Sequence, residues 1–123
     1  MITGSVTVDL EAIIRLVVRG PDDGELEIDA VVDTGFDGWI SLPPSLISQL
    51  GLPWRQRGRA LLADGSECVF DTYESVVVWD GDARRVPVDE ANTGPLIGMS
   101  MLEGSELSLQ VRSGGNVSIT PLP

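Results

Sequence analysis

Histidine and lysine are absent from this 123-residue chain, and cysteine occurs once, at Cys68. Each absence removes a class of chemistry. Without histidine, one chain cannot assemble Ser-His-Asp or Cys-His catalysis, nor a His-based zinc site. Without lysine, Schiff-base and Ser-Lys mechanisms go too. A lone thiol forms no intrachain disulfide and no Cys-cluster metal site. Positive charge is scarce: eight arginines stand against nineteen acids, for a net charge of −11. Such a surface repels phosphate backbones and anionic lipid, so nucleic-acid and membrane partners are not expected. No apolar stretch is long enough to span a bilayer. The first residues, Met1 to Val8, lack a basic region followed by an apolar one; the expectation is no secretory signal and a cytoplasmic protein. For an enzyme without a cofactor, the acid–base groups left are essentially carboxylates.

What is present suits a folded chain. Apolar residues make up 42% and charged residues 22%, a globular balance at the length of one domain. No linker, repeat or low-complexity segment divides it, so residues 1–123 read as a single domain. Val6 to Leu10 alternates, and Ala12 to Arg19 is apolar and β-branched; both read as strands. Pro21 to Gly24 is turn chemistry, with glycine expected to take the positive dihedral. Leu26 to Val32 is the next strand, and Trp39 to Leu42 a short one. The segment from Leu42 to Gly51 is the clearest helix, with proline in the first turn and Gly51 as the stop. Leu46, Ile47 and Leu50 share its inner face.

Hairpin signals follow. Arg59 to Ala63 and Glu67 to Thr72 flank Asp64-Gly65, which reads as a two-residue turn. Ser75 to Trp79 and Arg84 to Val88 flank Asp80-Gly81-Asp82. Met99 to Leu102 reads as a short helix ended by Gly104. Leu107 to Val111 and Asn116 to Thr120 are closing strands around Ser113-Gly114-Gly115. Many short strands and few helical residues argue for an all-β barrel or sandwich.

Chemistry concentrates at Asp33-Thr34-Gly35, directly after the strand that ends at Val32. A second signal, Leu96-Ile97-Gly98, lies about sixty residues downstream, with a hairpin between the two. From Ile13 to Val111 this order resembles the retropepsin-like aspartic proteases, the retroviral enzymes and their single-domain cellular and bacterial relatives. The helix from Pro44 to Leu50 brings it nearer the cellular members. The resemblance implies an all-β, closed-barrel fold with one or two short helices. It also implies an endopeptidase that is a homodimer, because the chain holds one Asp-Thr-Gly and that chemistry needs two aspartates. Extended peptide is the implied substrate; no metal and no cofactor is required.

The same resemblance implies roles. Asp33 is the catalytic carboxylate. Thr34 hydrogen-bonds across the dimer beneath it, and Gly35 offers its N–H to it. Phe36 and Asp37 face substrate, with Asp37 placed to contact peptide backbone. Ala63, Asp64, Gly65 and Ser66 form the tip of a flap. Leu96, Ile97 and Gly98 complete the site, the first two as packing beside the active loop. The terminal segments, Ile2 to Val8 or Val117 to Leu122, are candidates for an intersubunit sheet.

The pattern is not followed throughout. Phe36 stands where the family has a small residue, and its ring either fills a subsite or joins the core. The flap has one glycine, and Met99 replaces an arginine of the viral enzymes. A non-catalytic peptide-binding or dimerisation module on the same fold remains the alternative, as does an unrelated β-sandwich with Asp33 in an ordinary turn. Trp39, Trp54 and Trp79 read as core anchors, and Cys68 as a packed thiol. Arg55 to Arg59 reads as a solvated strand face.

Overall fold

Alternation of apolar and polar residues sets the strands, and their inward faces meet in one core. A computed structural model describes all 123 residues. Its elements are β1 (Ile2–Val6), β2 (Ala12–Arg19), β3 (Glu25–Val32), β4 (Ile40–Leu42), α1 (Pro44–Leu50), β5 (Trp54–Leu61), β6 (Glu67–Trp79), β7 (Asp82–Glu90), β8 (Leu96–Ile97), α2 (Met99–Leu102), β9 (Ser105–Leu109) and β10 (Asn116–Pro121). The ten strands form one sheet in the order β5-β6-β7-β4-β8-β3-β2-β1-β10-β9. An added pairing of β6 with β2, Val17 to Arg19 against Val76 to Val78, closes six of them into a barrel. Closure removes the edges of those six strands. An open sandwich is thereby ruled out.

Every second residue of β2 is buried: Ala12, Ile14, Leu16 and Val18. They meet Val77 and Trp79 of β6, Val86 and Val88 of β7, and Ile40 and Leu42 of β4 in a core that also takes Ile97, Met101, Val117 and Ile119. Each such side chain contributes about 1.5–3 kcal/mol by leaving water. The α1 helix adds Ile47 and Leu50 and stops at Gly51 in the left-handed region, as the sequence predicts. No helix is long and apolar enough to cross a membrane.

Several local expectations are corrected. Val6 ends β1 rather than starting a strand; Thr7 to Leu10 turn, with Leu10 N–H donating to Thr7 O at 3.0 Å and Leu10 at φ 61°. In the Pro21–Gly24 turn the positive φ angles fall on Asp22 and Asp23, aspartate being among the few residues that tolerate them. The segments either side of Tyr73 are one continuous 13-residue strand, β6. Trp79 is buried and Trp39 half-buried, but Trp54 lies at the surface, its Nε1–H donating to Asp71 Oδ1 at 3.1 Å. Cys68 is exposed, because the stretch of β6 that carries it pairs only with β5. The terminal strands are interior to the sheet: β1 lies between β2 and β10, and β10 between β1 and β9. Both edges are occupied over Gly4 and Ser5 of β1 and over Val117 to Ile119 of β10.

Candidate active site

The barrel presents Asp33 at the end of β3, where two parallel strands run side by side. Val31 pairs with Leu96 and Val32 with Ile97. The Asp33 N–H donates to Ile97 O at 2.9 Å, and Val31 N–H to Pro95 O at 2.9 Å. β8 is flanked on its other side by β4, with Ile40 opposite Ile97. The loop from Asp33 to Trp39 thus leaves one neighbour of β8 and returns as the other.

That loop is bound to the β8–α2 junction along its length. Gly98 N–H donates to Trp39 O at 2.9 Å, Met99 N–H to Phe36 O at 2.8 Å and Ser100 N–H to Gly38 O at 3.1 Å. The Ser100 hydroxyl donates to the Asp37 carbonyl. Within the loop, Phe36 N–H donates to Asp33 O at 3.2 Å. The half-buried Asp33 carboxylate accepts the Gly35 N–H through Oδ1 at 2.9 Å. This bond fixes the rotamer of the carboxylate.

Glycine at Gly98 is a matter of space. A Cβ there would lie 2.2 Å from Gly38 O and 2.7 Å from Phe36 Cδ2. The Phe36 ring also covers Gly38, whose Cβ would meet its Cζ at 2.5 Å. The ring therefore packs on two bare backbone positions, half-buried. The ring thus packs against the backbone of the active loop itself. Ile97 is wholly buried, the packing place beside the active loop that the sequence implies. It supports the loop from below and has no surface to offer a peptide. Leu96 is half-buried.

Thr34 is exposed and shares a shallow depression of about 220 Å³ with Met99, Leu102, Ser105 and Leu107. Asp37 is exposed. Its carboxylate lies near Asp89 of β7, a residue the sequence reading passed over. Asp89 is half-buried, accepts a hydrogen bond from Thr72 Oγ1 at 3.3 Å, and its Oδ2 is 3.2 Å from the place a Cβ on Gly38 would take. Burial raises its pKa, the Thr72 hydroxyl partly offsets this, and the Asp37 charge raises it further. Only the parallel pairing of Ser41 with Asp89 brings this carboxylate beside the loop, and no local sequence pattern announces that pairing.

The hairpin of β5 and β6 stands off the barrel. β6 pairs with β7 from Thr72 onward, so Glu67 to Asp71 have β5 as their one ladder partner. Its turn spans three residues, not two. Leu62 N–H donates to Ser66 O at 2.7 Å and Gly65 N–H to Leu62 O at 2.9 Å, with Gly65 at φ 86°. Ala63 and Asp64 make the bend and Gly65 the left-handed step that follows it. Asp64 Oδ1 accepts both the Ser66 hydroxyl at 2.6 Å and the Ser66 N–H at 2.9 Å. The hydroxyl, then the N–H, hold the Asp64 carboxyl below its ordinary range. Arg57 and Arg59 lie along the exposed strand, within 3.5 Å of Asp71 and 3.7 Å of Glu67, the solvated face the sequence predicts.

Asp33 to Asp37 and Leu96 to Gly98 thus form one hydrogen-bonded unit. Ala63 to Ser66 sit at the far end of a separate hairpin, linked to that unit at its base through Thr72 and Asp89. A cavity of about 470 Å³ runs along the hairpin between Arg57, Phe70, Asp71, Glu90 and Pro44. It is not built on the Asp33 loop.

No protein-family model and no curated protein matches the chain by sequence. Solved structures do match. A retropepsin-like aspartic protease from Rickettsia conorii superposes with a TM-score of 0.61 at 18% identity, over 99% of this chain and 91% of that one. The EIAV protease, complexed with the inhibitor HBY-793, superposes with a TM-score of 0.55 at 14% identity, over 76% of this chain and 86% of that one. The fold is retropepsin-like.

Proposed function

We propose that this chain is one half of an aspartic endopeptidase, a single unit spanning residues 1–123 that acts as a homodimer. The observation that carries the reading is the seat of Asp33: a half-buried carboxylate on a loop fixed between parallel β3 and β8, with the Gly35 N–H on its Oδ1. One such carboxylate is incomplete. Two of them, one from each copy, facing at about 3 Å, cannot both ionise and hold one proton between them.

The ionised member takes a proton from a water held between the pair. The protonated member donates to the oxygen of the scissile carbonyl. Attack gives a tetrahedral diol, and a proton then passes to the leaving amine. The titration belongs to the pair, so neither copy is the fixed acid. Thr34 and Gly35 orient the carboxylates. Phe36, Asp37, Leu96 and the tip residues Ala63, Asp64, Gly65 and Ser66 bound the extended peptide, the hairpin closing over it to exclude water.

Incubation with an unfolded polypeptide, with and without Asp33→Asn, tests this. The wild type is expected to cleave internal bonds. Asp33→Asn is expected to keep its fold, since an amide oxygen still accepts the Gly35 N–H, and to lose turnover. Turnover unchanged by the substitution removes Asp33 from the chemistry. Binding without cleavage from acidic to neutral pH would instead favour the peptide-binding module.

A further inference from the structure

We propose that the row Thr72, Asp89 and Ser41, with Asp37 beside it, is a subsite that selects a basic side chain, arginine or lysine, in the bound peptide. The inference rests on the reading of the Asp33 loop as a peptide site and names the side chain that site chooses. Strand register builds the row. Asp89 of β7 lies opposite Thr72 of β6 and, on its other side, in parallel register with Ser41 of β4. Ser41 lies opposite Leu96 of β8, and Leu96 beside Val31, two residues before Asp33. Residues in register project on one face of a sheet. Their chain neighbours Ile40, Leu42, Val88 and Ile97 fill the barrel. The row therefore lies on the face outside the core and ends beside the strand that carries Asp33.

The row holds negative charge and unused acceptors. No ion pair of the chain includes Asp37 or Asp89. Asp89 accepts the hydroxyl of buried Thr72 on Oδ1, while its Oδ2 faces the bare Cα of Gly38. Ser41 is 3% exposed and its Oγ has no hydrogen-bond partner. Buried polar atoms are nearly always paired, and an exception calls for a reason. Burial first, and the Asp37 charge last, raise the Asp89 pKa, so the two carboxylates repel with no cation between them. An uncompensated carboxylate and an orphaned hydroxyl in adjacent places each cost the free protein stability. Sequences keep such local conflicts chiefly where a function needs them.

A basic side chain supplies what the row lacks. Its charge offsets Asp37 and Asp89, and its several N–H donors serve Asp89 Oδ2 and the row that holds the Ser41 hydroxyl. Half-buried Leu96, the next place in the row, gives the methylene stem an apolar surface. An acidic side chain would instead add a like charge, and a neutral amide would leave both carboxylates uncompensated. A metal ion does not fit, because nowhere do three carboxylate or thiol groups gather to hold one. The arginines of the neighbouring hairpin do not fill the place either: Arg57 and Arg59 are engaged by Asp71 and Glu67.

The test uses a short extended peptide of neutral residues with a single arginine stepped through its positions, and the same set with glutamine or glutamate in its place. Cleavage is read as kcat/KM with the full chain, and binding by fluorescence anisotropy with Asp33→Asn, which is expected to hold peptide without cutting it. At one position arginine is expected to be preferred to glutamine by about tenfold or more, the worth of one charge-assisted hydrogen bond. Asp89→Asn, alone for cleavage and with Asp33→Asn for binding, is expected to bring that ratio to within about twofold. Asp89→Arg is expected to turn it toward glutamate; if the larger residue does not fold, Asp89→Asn decides. The ratio is the readout because a structural defect lowers all peptides alike. An arginine gain equal at every position and unmoved by Asp89→Asn is the general pull of an acidic chain and overturns the proposal. Cleavage with no arginine preference overturns the subsite and upholds the protease reading. Binding that shows the Asp89-dependent preference, with no cleavage by the wild type, upholds the subsite and overturns the protease reading. Peptides neither bound nor cleaved overturn both.

Discussion

Gly98→Ala is the substitution that separates a packed active loop from an ordinary turn. The new Cβ would lie 2.2 Å from Gly38 O and 2.8 Å from Gly38 C. A relaxed C···O contact is about 3.3 Å or longer, so the Gly38 carbonyl has to retreat by roughly 1 Å. The Phe36 ring, 2.7 Å away at Cδ2, can rotate aside. The carbonyl cannot, because it accepts the Ser100 N–H at 3.1 Å and its neighbour Trp39 O accepts the Gly98 N–H at 2.9 Å. Overpacking costs about 1–3 kcal/mol, and a strained or lost backbone hydrogen bond adds about 1 kcal/mol. The expected loss of stability is therefore about 2–4 kcal/mol, read by urea unfolding. Misplacement of a reacting group by about 1 Å costs on the order of 100-fold in rate, and peptide turnover is expected to fall by that much in the fraction that remains folded. Adding Phe36→Ala should not rescue either quantity, since the backbone clash stays. Gly35→Ala is the control. Its Cβ meets only Asp33 Oδ1, at 3.2 Å, so turnover should drop while stability stays within about 0.5 kcal/mol. A Gly98→Ala protein with wild-type unfolding midpoint and wild-type turnover would refute the reasoning.

Three further outcomes are expected. Asp89 has its pKa raised above the ordinary 3.8, by burial first and the Asp37 charge last. The folded state then binds more protons than the unfolded one between those two pKa values, so this group costs stability as pH rises through that window. Asp89→Asn should stabilise the protein at neutral pH and give no gain below pH 3.8, and equal gains at both pH values would exclude the carboxylate as the cause. Ser41 is buried with a hydroxyl that has no hydrogen-bond partner; Ser41→Ala should raise stability by about 1 kcal/mol, and a lower melting temperature would show that the hydroxyl is satisfied. Gly65 holds φ 86° at the hairpin tip, so Gly65→Ala strains the turn by about 1–2 kcal/mol. Because the outer part of that hairpin, Glu67 to Asp71 with β5, pairs only with itself, turnover should fall while the global unfolding midpoint barely moves.

The barrel strands were legible wherever one face meets the core. Ala12 to Arg19 alternates in sequence because Ala12, Ile14, Leu16 and Val18 point inward. Pro44 and Gly51 bracket α1 because each carries its own dihedral preference. Asp33-Thr34-Gly35 was legible as a motif. What the sequence could not carry was pairing between distant strands. Nothing local to Val6 says that β1 and β10 are partners, and this pairing sets both terminal strands within the sheet. Nothing local to Asp89 says that it opposes Ser41. Cys68 and Trp54 misled for a related reason: apolar residue type predicts burial only when a second layer covers the strand, and the hairpin has none over these positions.

The Asp33 loop is the opposite case. Within its own chain Asp33 is held by β3, β8, the Gly98 contact and four hydrogen bonds between its loop and the β8–α2 junction. On the proposed two-copy reading, stability and turnover should respond to different changes. A change that breaks only the contact between copies should leave a folded monomer with Asp33 correctly seated and no partner carboxylate. A change under the loop should lower stability and turnover together. Gly98→Ala belongs to the second kind. Measuring its unfolding, oligomeric state and turnover together therefore tests whether the loop that seats Asp33 is part of the folded core.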